Sequence, residues 1–393
     1  MTGLSMSEAL RARLVELRRS IHREPELAFQ EHRTAEKLEQ ALDTVGVVEI
    51  RRLAGTGVIG RVRGTDPSAP VIAIRGDIDA LPIQEETGLP FASDRAGVMH
   101  ACGHDVHATW TIGAAALLVE RPARGDTIVV LQPAEEIGRG AAAVLAGGAL
   151  DGVAAIFGGH VDRRFELGQV VADAGPLAAS ADTFEIELTG QGAHAARPHE
   201  ARDPIVAAAA LVMAIQTIVA RRLNPAIPGV VTVGHIAAGF APNIIPDRAR
   251  LAGTIRAIDA ASRRLMIDEL KQLAESTARA HGVTAAVSIP DGTPPLVNPE
   301  PATAWGREAV SRVLGPAALV PLGFLNLAGE DFACYLERMP GCFLRIGARE
   351  PGGQPIPAHS PRFYPAEESI FIGAAVLAEC ARVASALTVV RFK

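Results

Sequence analysis

Aromatic side chains are scarce in this chain, which has 12 Phe, 2 Trp and 2 Tyr among 393 residues. Cysteine is also rare, and the irregular spacing of Cys102, Cys334, Cys342 and Cys380 excludes the disulfide framework of a small secreted domain. No apolar run reaches the roughly 18 residues of a membrane span, and the N-terminal segment lacks the apolar core of a signal peptide. We therefore expect a cytoplasmic protein with no membrane partner.

An excess of positive charge is absent as well. The net charge is −6 and the Lys and Arg residues are scattered, which argues against a nucleic-acid partner. With 48% hydrophobic and 21% charged residues, the composition is that of an ordinary globular protein. The length is too great for one small core and predicts two domains.

The first 180 residues alternate between strand and helix patterns. Short apolar runs at residues 71–74, 127–131 and 154–157 predict buried strands, and Ala-rich segments at 108–120 and 140–150 predict the crossover helices. Polar residues follow the carboxyl end of each strand, which is the edge where open α/β sheets bind ligands. This part of the chain is predicted to be an α/β domain.

From residue 182 onward, the strand and helix patterns occur in a different order. Strand patterns at 184–188, 230–236, 249–255 and 283–289 alternate with helix patterns at 203–221 and 260–280. The order β-α-β-β-α-β is that of a ferredoxin-like unit. We therefore predict a discontinuous α/β domain (1–181 and 290–393) with a mixed sheet flanked by helices, and an inserted ferredoxin-like α+β domain (182–289).

Cys102 and His104 are the first candidate metal ligands. They are separated by Gly103, which lets the backbone turn tightly enough for both side chains to reach one ion. A lone Cys-x-His is more often part of a core, but here Glu135 and Glu136 follow Pro133 just past a predicted strand. In an extended segment these neighbours would point in opposite directions, so that one binds metal while the other faces the substrate. The alternative is a solvated acidic pair.

Other candidate site residues have weaker sequence support. His160 follows the third apolar run and is as often structural as functional, whereas Asp77 and Asp79 are suited to orienting ligands. His107 shares a helix face with His104, but a packing or supporting role is more common. The spacing around His359 gives it no local support.

Seven ordered motifs carry a family resemblance. They are Arg-Gly-Asp-Ile-Asp-Ala-Leu-Pro (75–82), Met-His-Ala-Cys-Gly-His-Asp-Val-His (99–107), Gln-Pro-Ala-Glu-Glu (132–136), Gly-Ala-His-Ala-Ala-Arg-Pro-His (192–199), Pro-Asn-Ile-Ile-Pro-Asp (242–247), Gly-Thr-Ile-Arg (253–256) and Gly-Glu-Asp-Phe (329–332). The chain resembles the dinuclear metallopeptidase-like amidohydrolases, in the branch of hippurate hydrolase, N-acyl-amino-acid amidohydrolases and auxin-conjugate hydrolases. The likeness runs in order from about Ile21 to Ser369.

The resemblance implies a function for each matching residue. Two divalent ions are expected on Cys102, His104, Glu136, His160 and His359, with Glu135 as the general base. His194 is expected to stabilise the oxyanion, often in the active site of a partner subunit, and Asn243 and Arg256 to bind the substrate carboxylate. It also implies that the discontinuous domain is the metal-binding catalytic domain and that the inserted domain is a lid and dimerisation domain. A homodimer, or a larger homo-oligomer built from dimers, is therefore expected. The mixed Cys, His and carboxylate donors suit zinc, manganese, cobalt or nickel.

The implied reaction is metal-dependent hydrolysis of N-acyl amino acids to a carboxylic acid and a free amino acid. A metallo-dipeptidase or carboxypeptidase acting on small peptides is the alternative, because it shares every metal residue. A non-enzymatic protein on the same fold would be expected to lose Glu135 or a ligand, and none is lost. Ala257 and Ile258 follow Arg256 where relatives tend to have Thr and an aromatic, which leaves the acyl and amino-acid preference open. The shortage of aromatic residues favours small or aliphatic acyl groups.

Overall fold

The computed structural model describes residues 6–386. The strands are β1 (Val48–Leu53), β2 (Gly57–Val62), β3 (Ile72–Asp77), β4 (Thr127–Gln132), β5 (Ala155–Glu166), β6 (Val170–Val171), β7 (Gly175–Ala178), β8 (Asp182–Thr189), β9 (Ala193–His194), β10 (Gly229–Ala238), β11 (Ile244–Ile245), β12 (Arg248–Ala257), β13 (Thr284–Ser288), β14 (Leu296–Asn298) and β15 (Gly341–Arg349). The α-helices are α1 (Glu8–Arg23), α2 (His32–Thr44), α3 (His104–Glu120), α4 (Gly140–Ala146), α5 (Pro204–Thr217), α6 (Ala260–Ala280), α7 (Glu300–Leu314), α8 (Ala333–Leu336) and α9 (Glu368–Ala386).

The chain forms two compact units. Unit 1 comprises the described parts of Met1–Gly175, Asn298–Phe324 and Asp331–Lys393, and unit 2 comprises Pro176–Val297 and Leu325–Glu330. Unit 2 is therefore made mainly of one continuous stretch of sequence, whereas unit 1 is made of three.

Unit 1 contains a seven-stranded mixed sheet in the order β1-β2-β4-β3-β5-β15-β6. The central strands β4, β3, β5 and β15 are parallel, and antiparallel pairs close the two edges. Strands β3 and β4 are buried along their whole length, as expected of parallel strands with both faces covered. The predicted α/β class, with a mixed sheet flanked by helices, is confirmed.

The core of unit 1 lies around helices α3 and α9, which pack closely together. Trp110 of α3 is fully buried, and a Cβ atom at Gly373 of α9 would lie 2.2 Å from the Trp110 ring. The glycine thus allows the two helices to approach, and any larger side chain there would push them apart. This contact fixes α3, whose first residue is His104.

Strand β5 is longer than the sequence pattern predicts. The apolar run was expected to end before His160, which would then project past the strand, and that expectation is wrong: the strand continues to Glu166. Pairing with β3 stops at Gly158, but parallel pairing with β15 continues through His160 and Asp162. Hydrogen bonding to β15 therefore keeps the polar stretch extended, a long-range effect that local hydropathy does not reveal.

Unit 2 contains a four-stranded antiparallel sheet in the order β10-β12-β8-β13. Helices α5 and α6 connect β8 to β10 and β12 to β13, which is the strand order and connectivity of a ferredoxin-like unit. Phe184, Ile186 and Leu188 alternate with exposed residues along β8, and they pack under Leu211 of α5 and Met266 of α6. The period-two pattern of β8 thus places one sheet face against both helices.

Two helices among the described residues are long and apolar enough to cross a membrane by length and composition alone. The first is Glu368–Ala386, where 89% of the apolar 18-residue stretch is buried, as in the core helix of a globular domain. The second is Pro204–Arg222, where only 33% of the apolar stretch is buried. Helix α5 covers the sheet with one side and exposes Val206 and Met213 on the other.

Candidate metal centre

The candidate ligands of unit 1 converge at the carboxyl ends of the parallel strands. Asp77 ends β3, Gln132 ends β4 shortly before Glu135, and His160 lies in β5 beyond the last residue paired with β3. Because parallel strands finish at a common edge, residues far apart in sequence meet there. The N-terminus of α3 adds His104 to the same edge.

Gly103 shapes the turn between Cys102 and His104. Its φ is +93°, a left-handed conformation that glycine adopts without strain, and a Cβ atom there would lie 2.5 Å from Val161 Cγ2. The turn brings Cys102 Sγ to 3.1 Å from His160 Nε2. The geometry predicted for this Cys-Gly-His turn is what the structure shows.

Cys102 belongs to two groups of potential ligand atoms. One group joins it to His104 and His160, and the other joins it to Glu136 and His359, with all ligand atoms of a group within 4.8 Å of one another. The five residues predicted as metal ligands are therefore close together in unit 1. Their identity as ligands remains a prediction.

The two acidic residues do not lie in the extended segment that was expected. Glu135 and Glu136 occupy a turn after Ala134, whose φ is +55°. Both carboxylates face the same imidazole, since Glu135 Oε2 and Glu136 Oε1 each lie 3.9 Å from His104 Nε2. The positive φ at Ala134 redirects the chain, which a propensity argument does not anticipate.

Two buried polar atoms without hydrogen-bond partners in the described chain indicate whether these residues suit a cation. His104 Nε2 and Glu136 Oε1 are buried and have no hydrogen-bond partner among the residues that the structure describes. Such atoms cost about 1–3 kcal/mol each unless another group satisfies them. His104 Nδ1 donates to the backbone carbonyl of Asp79 at 2.9 Å, which leaves the lone pair on Nε2. The donor set therefore fits a divalent cation.

Three buried side chains of the site have strongly shifted pKa values. Burial lowers the pKa of His104, but the charge of Asp77 and other neighbours outweighs burial and holds that pKa well above its usual value, so a cation would have to displace a proton from the ring. Burial raises the pKa of the Cys102 thiol well above its usual value, and nearby Glu136 raises it further. Burial also holds the pKa of His160 well below its usual value, so that its imidazole is neutral. A bound cation would reverse the effect on Cys102 by stabilising the thiolate, and it would use the neutral His160 ring directly.

Asp79 orients three groups at once. Besides the His104 contact, its Oδ1 accepts the Glu135 N–H at 3.1 Å and its Oδ2 accepts the Glu136 N–H at 3.0 Å. The carboxylate thus fixes the turn that carries both acids. This contact pattern matches the orienting role predicted for Asp79.

His107 is fully engaged inside the protein. Its Nδ1 donates to Asp77 Oδ1 at 2.6 Å, its Nε2 accepts the Val161 N–H at 2.9 Å, and its ring stacks on Trp110. With both nitrogens satisfied, His107 has no lone pair left for an ion. The supporting role is therefore the one that the geometry favours.

A buried polar network lies next to Glu135. Asp331 accepts hydrogen bonds from Arg75 at 2.9 Å, from the Gln132 amide at 2.8 Å and from the Ala141 N–H at 2.9 Å. The Asp331 N–H donates in turn to Glu135 Oε1 at 3.3 Å. The network links the last residue of β4 to the acid that was predicted as the general base.

His359 is presented by a loop with its own anchor. Its φ is +67°, its N–H donates to Ala101 O at 2.8 Å, and its Nε2 lies 3.4 Å from Glu136 Oε2. Buried Arg163 holds the loop through Glu350 Oε2 at 2.8 Å and through backbone carbonyls of the loop. Arg163 carries no sequence signal, because its partners are 185 and more residues away.

His22 was also missed. The sequence gives it no role, yet its Nδ1 lies 2.8 Å from Asp105 Oδ2, and Arg18 Nε donates to the same oxygen at 2.7 Å. Asp105 is the residue after His104, so α1 is tied to the first turn of α3. The burial of this pair depends on tertiary packing, which spacing within α1 does not reveal.

The remaining predicted residues belong to unit 2. His194 in β9 pairs with Ile244 in β11, the Ala195 N–H donates to Asn243 O at 3.0 Å, and His194 Nδ1 accepts the Ala196 N–H at 3.0 Å. His194 and Asn243 are thus neighbours within unit 2. Arg256 lies on β12, where its Nη1 donates to Ser180 O at 3.4 Å.

Curated relatives of the chain include proteins named as a deacetylase, a carboxypeptidase and an amino acid hydrolase. It is 41% identical over 345 residues to N-acetyl-L-cysteine deacetylase of Bacillus subtilis, covering 86% of this chain and 81% of the relative. It is 36% identical to thermostable carboxypeptidase 1 of Saccharolobus solfataricus, with 92% of each chain covered. It is also 36% identical to an IAA-amino acid hydrolase of Arabidopsis thaliana, over 94% of this chain and 84% of that one.

A solved structure gives the same result. The dinuclear metal binding peptidase from the M20 family of Bacillus subtilis superposes with a TM-score of 0.84 at 36% identity, covering 97% of this chain and 99% of that one. The family model described as Peptidase family M20/M25/M40 matches residues 73–383, a span that includes every residue predicted for the site. The predicted resemblance is confirmed: the chain belongs to peptidase family M20/M25/M40 and is a metal-dependent amidohydrolase.

Proposed function

We propose that this protein hydrolyses the amide bond of N-acyl amino acids and releases a carboxylic acid and a free amino acid. One observation carries the proposal: within residues 6–386, buried His104 Nε2 and Glu136 Oε1 have no hydrogen-bond partner, and they face each other beside the carboxylate of Glu135. Metal-assisted hydrolysis requires ligand atoms of this kind next to a carboxylate that can act as a base. The deacetylase and IAA-amino acid hydrolase relatives support N-acyl amino acids as the substrate class.

We assign the binding of two divalent cations to Cys102, His104, Glu136, His160 and His359. When bound, such cations polarise an amide carbonyl and lower the pKa of water. Zinc, manganese, cobalt and nickel all accept this donor set.

Glu135 is placed to move the proton. Asp331 anchors its Oε1, while Oε2 faces the ligand group at 3.9 Å from His104 Nε2. We assign to this carboxylate the uptake of a proton from the attacking water and its delivery to the departing amine nitrogen. The anchored oxygen keeps the base in one orientation for both transfers.

The residues of unit 2 are assigned to the substrate. His194 Nδ1 accepts a hydrogen bond, so the neutral ring carries its proton on Nε2 and can donate to the oxyanion that forms when water attacks. Asn243 and Arg256 are assigned to the carboxylate of the amino-acid part.

We further propose a homodimer formed through unit 2. β10 is an edge strand, and Ile236 on it is 53% exposed. Val206 and Met213 on α5 are also exposed, at 52% and 71%. An unpaired strand edge beside exposed apolar side chains favours pairing with a second copy. Light scattering should give the dimer mass, and Ile236→Lys should give the monomer mass; a wild-type monomer would refute this assignment.

The test of the activity is amine release from a matched panel. Metal-reconstituted protein is given N-acetyl, N-benzoyl and N-indoleacetyl amino acids beside the corresponding dipeptides. Turnover of the acylated substrates that stops on chelation is the expected result. Glu135→Gln should lower kcat by about 10²–10⁴-fold with metal content unchanged. A variant with nearly normal turnover would remove Glu135 from the mechanism.

A peptidase activity is the second candidate, because the thermostable carboxypeptidase relative is 36% identical over 92% of the chain. It would use the same metal residues and Glu135. Cleavage of dipeptides without cleavage of acylated amino acids would establish it instead of the amidohydrolase activity.

A further inference from the structure

Four arginines in the described part of unit 1 are buried, and three of them are paired with carboxylates. The pairs are Arg18 with Asp105 at 2.7 Å, Arg75 with Asp77 at 2.5 Å, and Arg163 with Glu350 at 2.8 Å. The fourth, Arg345, is 94% buried, since only 6% of its surface is exposed. Its Nε has no hydrogen-bond partner, and no carboxylate lies within ion-pair distance of it, among residues 6–386. Arg345 is therefore the exception among the buried arginines.

Arg345 lies beside the proposed metal centre. It occupies the middle of β15, directly opposite His160 in the parallel register with β5 and opposite Val171 on the other side. Its guanidinium carbon is 5.6 Å from the centre of the Phe343 ring.

An unpaired guanidinium at this position is costly. Burial removes the hydration of the cation, and contact with one aromatic ring replaces only a small part of it. Metal cations held by His160 would add repulsion between like charges. An anion bound between the guanidinium and the metal centre would remove both penalties.

The shape of the group identifies the class of anion. A guanidinium presents its N–H groups as a planar fork that matches the two oxygens of a carboxylate. Asn243 and Arg256 of unit 2 are assigned to the carboxylate of the amino-acid part, so a second carboxylate would belong to the acyl part. Few aromatic residues are present to bind benzoyl or indole groups, which agrees with a polar acyl group.

We propose that Arg345 binds a carboxylate on the acyl group, so that the preferred substrates are amino acids acylated by a dicarboxylic acid. This inference rests on the proposed function and specifies its substrate class. N-succinyl amino acids are the simplest members of that class.

The experiment compares matched substrates and variants. The amino acid that is cleaved best is prepared as its N-succinyl, N-succinamoyl and N-acetyl derivatives, and the N-succinyl compound is also prepared as its α-amide. The succinamoyl group has the shape of the succinyl group without its charge. The variants are Arg345→Met, Arg345→Lys and, as a control, Arg164→Met, which removes an arginine already paired with Asp162 on the neighbouring strand.

We expect Arg345→Met to lower kcat/KM for the N-succinyl substrate by roughly 10- to 100-fold, the loss of one hydrogen-bonded charge pair. Activity on the N-succinamoyl and N-acetyl substrates should stay unchanged, and Arg345→Lys should lie between. The control variant should match the wild type on all substrates. Metal content should be the same in every variant.

Two kinetic results would overturn the proposal. An equal loss on charged and neutral acyl groups would indicate a structural role for Arg345. A loss that depends on the α-carboxylate, and so disappears with the α-amide, would assign Arg345 to the amino-acid part.

Calorimetry separates this proposal from the proposed function. Metal-free protein is titrated with succinate and with succinamate, which requires no turnover. Tighter binding of succinate that Arg345→Met abolishes would support the anion site even if no amide in the panel were cleaved. Equal binding of the two ligands, or no binding by the wild type, would refute it even if N-acetyl amino acids were hydrolysed.

Discussion

Replacing Asp331 by Asn is the sharpest test of how the structure holds Glu135. The carboxylate accepts hydrogen bonds from Arg75, from Gln132 and from the Ala141 N–H, all of which are buried. An amide in its place keeps one acceptor oxygen and turns an NH₂ group toward donors. Arg75 keeps its contact with Asp77 but loses its second charged partner.

The size of the effect follows from these contacts. Removing one partner of a buried ion pair costs about 3–5 kcal/mol, because the other charge stays buried without compensation. Here the remaining pair with Asp77 moderates the loss of charge, whereas the unsatisfied Ala141 N–H adds about 1–3 kcal/mol. We therefore expect the free energy of unfolding to fall by about 3–5 kcal/mol.

The assay is urea unfolding of metal-free protein, with kcat measured on the reconstituted enzyme. Asp162→Asn is the matched control, because its partner Arg164 is 46% exposed and the pair should contribute less than about 1 kcal/mol. The substitution keeps the backbone N–H of residue 331 that donates to Glu135, but losing the side-chain contacts should displace that N–H, so kcat should fall while the metal content stays close to normal. A loss of stability no larger than that of the control would refute the argument for a buried network.

Three further results are expected. Gly103→Ala should lower both stability and metal content, because alanine is strained at a φ of +93° and its Cβ would press on Val161; unchanged metal content by mass spectrometry would contradict this. Arg163 lowers the pKa of Glu350 to about 2 despite partial burial, so its stabilisation is complete above the usual pKa of 4.5 and is lost as pH falls toward 2. Glu350→Gln should therefore be less stable than wild type at neutral pH, by under about 1 kcal/mol since the group is 37% exposed, and equal to it near pH 2; a constant difference in thermal melts would refute this. Chelation should abolish activity and lower the melting temperature, because metal binds only the folded site, and a melting temperature insensitive to chelator would argue against tight binding.

Much of the fold could be predicted from the sequence. Helix α6 has its predicted ends, and β3, β4 and β8 differ from prediction by a few residues, because their hydrophobic patterns are strong and local. The continuation of β5 past His160 could not be predicted, since pairing with β15 determines it. The π-helical turn Ile218–Arg222 that follows α5 was likewise read as ordinary helix.

The site was predicted mainly through ordered motifs. Spacing alone suggested Cys102 and His104, whereas His359 came only from the family resemblance. No sequence pattern pointed to three other residues. Arg163 and His22 act through partners that are distant in sequence, and Arg345 is notable because its Nε has no partner among the described residues. Residues of this kind are recognised from burial and unsatisfied contacts, which require coordinates.

Strand β5 links the two parts of the proposed metal centre. Within four consecutive residues it carries His160, Val161, whose N–H is bonded to His107, and Arg163, which anchors the loop of His359. One member of each ligand group around Cys102, His160 in the first and His359 in the second, is thus attached to the same strand. Placing the first ion should stiffen β5 and prepare the position of the second, so loading should be cooperative. A sigmoidal absorbance titration with cobalt would reveal this, and two independent binding steps would exclude it.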